Sequence, residues 1–164
     1  MCEISRRRYP GIAGAIAVIE IVDGVDGTAP KCIAVTDIPV TGTAAKTRVD
    51  AIGLSTWIQT HHPDFAGVER AGSMPRQGVA SAFKYGRAAG VIEGVVACLS
   101  IPMVMVEPSK WKRAFHLNSD KEASRQLAIQ LFPHTHDQLA LKRHHQRAEA
   151  MLIALFTANN RGAP

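Results

Sequence analysis

Apolar residues run almost without interruption from Ile12 to Val22, with β-branched side chains prominent and Gly14 early. That pattern predicts a buried strand or a hairpin pair, ended by the turn signals Asp23-Gly24 and Asp26-Gly27. Lys31 to Ile38 reads as a further strand closed by Pro39, and Gly42 to Arg48 as a loop. Asp50 then stands as the N-cap of an amphipathic helix to about Thr60, with Ile52, Leu54, Trp57 and Ile58 facing inward. A short strand over Phe65–Glu69 ends on a carboxylate, and Gly72, Pro75 and Gly78 mark the next stretch as a loop. Ser81–Leu99 predicts a long helix rich in small residues, and Met103–Val106 a strand stopped by Pro108. Helical turns follow from Lys110 and from Asp120 to Leu131, and a strongly apolar helix runs from about His145 to Ala158. Strands first in a cluster, then alternating with helices, predict an α/β fold: a mixed sheet of about five strands with helices on both faces.

Length changes that picture little. The 164 residues, 46% apolar, suit a single domain spanning 1–164, with residues 1–8 as a basic tail. The apolar stretch from Val91 to Val106 is broken by Glu93, Gly94, Ser100 and Pro102, and the start of the chain does not read as a signal peptide. The expectation is a soluble, cytoplasmic protein without a membrane segment. Cys2, Cys32 and Cys98 form no CxxC pair, so neither a zinc site nor a disulfide framework is supported. A net charge of +5 with a pI near 9.4 favours an acidic partner such as nucleic acid.

Two carboxylates stand out by position. Glu69 closes a strand beside a glycine-rich loop, and Glu149 interrupts the small-residue face of the last helix between Ala148 and Ala150. A buried carboxylate is costly unless paired or metal-bound. His145, four residues before Glu149, shares its helical face. The chemical reading is a divalent-metal site of Glu69, Glu149 and a histidine, with oxygen ligands suited to Mg²⁺. The plainer reading pairs Glu149 with Arg147 or Lys142 as a solvated helix charge.

Several ordered stretches bear on that choice: Met74–Phe83, Phe83-Lys84-Tyr85-Gly86, Pro108-Ser109-Lys110-Trp111-Lys112, Asp120–Arg125, Leu131-Phe132-Pro133 and Arg147–Ala154. In order and spacing this set resembles the RuvC-like Holliday junction resolvases of phages and prophages, over most of Ile12 to Phe156. The resemblance implies an RNase H-like fold of the RuvC type. It also implies a homodimer and Mg²⁺- or Mn²⁺-dependent endonuclease chemistry on four-way or other branched DNA. Glu69 matches the family's second active-site carboxylate and Glu149 its last, while Lys112 and Lys121 match lysines that face the DNA backbone. Arg76, Gln77, Arg125, Lys142 and Arg147 complete the expected DNA-binding set. The small-residue helix Ser81–Leu99 is the expected dimer interface.

The sequence departs from that family at two places. Tyr9 stands where the family has its central metal-binding aspartate, and a phenol with a pKa of about 10 is a poor Mg²⁺ ligand. Arg6, Arg7 and Arg8 before it are wrong for a central strand. His144 replaces an aspartate of Lys-x-Asp-His, which leaves His144 and His145 as metal-ligand candidates and shifts preference toward Mn²⁺. Three explanations compete. The chain is a degenerate resolvase that binds junctions without cutting, or an enzyme that recruits another group such as Asp37, or the product of a frameshifted or mis-started reading frame.

Overall fold

The computed structural model describes residues 14–24, 27–43, 46–70, 72 and 78–161. Two antiparallel strands open it, β1 (Ala15–Gly24) and β2 (Gly27–Asp37). Their register shifts between Val18 and Ile19, where β2 carries one extra residue, a bulge that sharpens the local twist. The expected strand-or-hairpin over Ile12–Val22 is thus one strand. Two short antiparallel strands flank the predicted loop Gly42–Arg48, β3 (Val40–Thr41) and β4 (Arg48–Val49).

Helix α1 (Ala51–His61) starts where its cap demands: the Asp50 side chain accepts from the backbone N–H groups of Ile52 and Gly53 at 3.2 and 3.1 Å. Leu54 and Ile58 are buried, whereas Ile52, expected inward, is 80% exposed. At about 100° per residue Ile52 sits roughly 200° around the helix from Leu54, so the two cannot share a buried stripe. Strand β5 (Ala66–Glu69) pairs in parallel with β6 (Met103–Val106) across α2 (Val79–Cys98). Pro108 takes the first helical position of α3 (Pro108–Ala114), where its missing N–H costs nothing. Helix α4 (Lys121–Leu131) is capped by Asp120, a 3-10 segment spans Pro133–Leu139, and α5 (His145–Asn159) closes the chain.

The core divides in two. One cluster joins Trp111, Phe132, Leu139, Met151 and Leu152, with Ala17, Ile19 and Val35 packed against it. The other joins Val49, Leu54, Ile58 and Val96, with Ile16, Ala66 and Met103 packed against it. Successive side chains of β1 therefore serve different clusters, as the two-residue period of a strand requires. The expected single five-stranded sheet is not confirmed: among the described residues, pairing is confined to three two-stranded ladders, and a cavity of about 1000 Å³ is lined by residues of β1, β5, α1, α2 and α5. No helix among the described residues is long and apolar enough to cross a membrane.

Candidate functional site

Glu69 is the last residue of β5, and α5 packs across β1, β2, β5 and β6. That crossing brings Glu149 beside Glu69, although 80 residues separate them in sequence. Both line the same cavity, and the Glu69 charge acts on the Glu149 carboxyl. The closeness of β5 and α5 has a local cause. A Cβ added at Gly67 would collide with the Thr157 side chain, so only glycine lets the helix seat this near the strand.

Burial pushes the Glu149 carboxyl above its usual range, and the Glu69 charge adds to the shift, against the opposing pull of Lys112, His145 and Lys121. Among the described residues, the cation paired with this carboxyl is Lys112, from α3, with Nζ 3.9 Å from Glu149 Oε1; their side chains are 30% and 24% exposed. Neither Arg147 nor Lys142 pairs with Glu149 in the way the solvated-charge reading required. Lys112 Nζ also lies 5.3 Å from the centre of the Trp111 ring. Trp111 is fully buried, and its indole Nε1–H donates to Glu69 Oε1 at 2.9 Å. One α3 segment thus holds both carboxylates, one through a tryptophan and one through a lysine. Tyr85 of α2 feels Glu69 as well: burial first, and then that charge, raise its phenol.

The other residues expected at the site divide by geometry. His145 and Lys121 are close enough to act on Glu149. His145 Nδ1 also donates to the Lys142 carbonyl at 3.2 Å, and His144 Nδ1 accepts from the Leu141 N–H at 3.4 Å. Arg125 is held inside the fold: Nε and Nη2 donate to Glu122 at 3.0 and 2.5 Å, and Nη1 to the Leu139 carbonyl at 2.7 Å. Lys142 lies in the field of Glu122, which these contacts hold down to about 2. Arg147 donates to Asp37 at 2.7 Å and to the Gln138 carbonyl at 3.3 Å, so Asp37 is engaged at the end of β2 with this arginine. Tyr9, Arg76 and Gln77 fall outside the described residues.

Among the described residues no group of three His, Cys, Asp or Glu side chains converges as ligands. Glu69 and Glu149 are the carboxylates these residues bring together, and a pair of carboxylates can hold Mg²⁺ when water or phosphate fills its remaining positions. Trp111 and Tyr85 are the members of the site that the pattern of residues did not reveal. The one available signal was a bulky indole directly before Lys112.

No protein-family model and no curated protein sequence matches the chain. Solved structures do. The RuvC of Thermus thermophilus in complex with a Holliday junction substrate superposes with a TM-score of 0.60 at 17% identity, covering 90% of this chain and 92% of that one. A second structure of Thermus thermophilus RuvC gives 0.58 at 15% identity, covering 90% and 94%. Across nine-tenths of its length, then, the chain has an α/β fold of the RuvC, RNase H-like kind.

Proposed function

We propose that this protein binds four-way and related branched DNA as a catalytically impaired relative of the junction resolvases, of the phage and prophage branch that its motifs resemble. The observation that carries the proposal is the convergence of Glu69 and Glu149 at one strand end with Lys112, Lys121 and His145 around them. Lysines at that rim would meet phosphates and make binding steeply salt-dependent. Support also comes from the neighbouring fold being that of a protein seen on a Holliday junction. The impairment follows from the donor set. Tyr9 supplies no carboxylate at the position where the motif resemblance expects the central one, and the described residues assemble two acids.

A second reading, metal-dependent phosphodiester hydrolysis, is favoured by the acid pair itself. The Glu69 charge adds to the cost of ionising the half-buried Glu149, an arrangement that a bound cation would relieve. Incubating the purified protein with a labelled four-way junction and Mg²⁺ or Mn²⁺ separates the two. The binding reading expects a shifted, intact junction, and paired nicks once Tyr9→Asp and His144→Asp are introduced together. Symmetric nicks by the unaltered protein, abolished by Glu69→Gln, would establish hydrolysis instead.

Symmetric junctions suit a two-fold assembly, and α2 is the proposed dimer helix. Gly86, Gly90 and Gly94 recur every four residues along it, and a Cβ at any of them would meet nothing within 4 Å among the described residues. A cytoplasmic location is proposed with that DNA partner.

A further inference from the structure

Trp111 and Lys112 are consecutive residues of α3, and each serves one member of the acid pair in a different way. The wholly buried indole donates a hydrogen bond to Glu69 Oε1 at 2.9 Å, so this contact is fixed by packing. Lys112 Nζ stands 3.9 Å from Glu149 Oε1, beyond the range of about 2.7–3.2 Å in which an N–H···O hydrogen bond forms. Charge, not a directed bond, holds it there. The Trp111 ring, its centre 5.3 Å from the same nitrogen, is a second attraction on it. An ammonium on a flexible stem, partly exposed and drawn to two partners, can shift while the indole beside it stays.

The charges decide what such a shift would answer to. Glu69 and Glu149 line one cavity, and the Glu69 charge adds to the cost of ionising its half-buried partner. Of the charges acting on Glu149, that of Lys112 is the largest, ahead of His145 and Lys121. When both acids are ionised, Lys112 offsets one of their charges, whereas a divalent cation held by the same oxygens would offset both. That cation would face the ammonium at close range. Even at the dielectric constant of water, repulsion between a divalent and a single positive charge about 5 Å apart weakens binding about tenfold. The two cations therefore compete for one pair of carboxylates.

We propose that Lys112 is the resident counter-ion of Glu69 and Glu149, holding the place that a hard divalent cation such as Mg²⁺ or Mn²⁺ would take. The chain itself then partly compensates the pair, and a metal must displace the ammonium to enter. This rests on the pair being a cation site, the second reading given above. Removing one positive charge is then enough to strengthen metal binding.

The probe is Mn²⁺ added to the full-length protein without DNA, with the free ion followed by electron paramagnetic resonance and the Tm measured alongside. Lys112→Met keeps an apolar stem beside Trp111 and removes the charge. It should bind Mn²⁺ about tenfold more tightly than the parent and gain correspondingly more Tm from the ion. Lys112→Gln, a second uncharged replacement, should do the same, and Lys112→Arg, which keeps the charge, should stay close to the parent. Adding Glu149→Gln to Lys112→Met should remove the gain, which ties it to the acid pair. Equal Mn²⁺ affinity in the parent and in both uncharged variants would overturn the competition and leave the cation site standing. A gain that survives Glu149→Gln would overturn it too, since the added affinity would then arise elsewhere. If none of these proteins binds Mn²⁺, the cation-site reading itself fails, and this proposal with it.

Discussion

The indole of Trp111 reaches across from α3 to the end of β5 and donates its N–H to Glu69 at 2.9 Å. Because Trp111 is wholly buried, this bond fixes one oxygen of a carboxylate that lines the same cavity as Glu149. Trp111→Phe removes the donor and leaves a void. Loss of a hydrogen bond to a charged group together with core volume should cost about 2–4 kcal/mol, read as a lower urea midpoint at unchanged m-value. A variant as stable as the parent would show that the indole does not hold Glu69.

The raised carboxyl of Glu149 makes stability depend on pH. A folded-state value above the usual 4.5 means that the folded chain keeps a proton the unfolded chain has released. This contribution is therefore fully present below the unfolded value and is lost as pH rises through the folded one. Glu149→Gln removes that loss. It should be more stable than the parent at neutral pH, with the advantage fading as pH falls below about 4. Unfolding measured from pH 3 to 8 tests this, and a constant difference across the range would contradict it.

Lys112 is tied to the acid pair, whereas Lys121 is an exposed residue at the start of α4. If Lys121 meets phosphate, Lys121→Ala should weaken junction binding and reduce the slope of log K against log salt by about 1. Arg125→Ala should behave differently. It breaks the contacts to Glu122 and to the Leu139 carbonyl, so lowered stability should dominate and the salt slope should stay the same. Equal slopes for the parent and Lys121→Ala would remove Lys121 from the interface.

Gly90 lies midway along the open face of α2. Gly90→Trp should leave the fold intact, since Gly90 is exposed and a Cβ there meets nothing within 4 Å among the described residues, and should convert a dimer to monomer in sedimentation. A dimer unaffected by the tryptophan would place the interface elsewhere.

Much of this architecture could be read from local pattern. Asp50 before an amphipathic run, four apolar residues bounded by Pro102 and Glu107, and a long apolar stretch after His145 correspond to the start of α1, to β6 and to α5. What local pattern could not show was contact across the chain. Glu69 was recognisable as a strand-ending acid, but its partner Trp111 lies 42 residues away, and an indole in the core looks the same in sequence whether or not its N–H is engaged. Arg125 and Arg147 looked like surface cations for the same reason, since a bidentate carboxylate partner or a carbonyl acceptor leaves no mark on composition. The pairing of the strands was also invisible, because strand-like segments do not report which of their edges meet.

The seating of α5 on β5 at Gly67 reaches beyond packing. Thr157 is two helical turns after Glu149, and Gly67 is one side-chain repeat before Glu69, so the point of closest approach lies near the acid pair without touching it. A backbone locked against a side chain there resists sliding along the helix axis far more than rotation about the contact. Any adjustment of the gap between the two acids, whether to admit a cation or a phosphate, would then be a swing of the helix on this pivot rather than a change in its axial stagger.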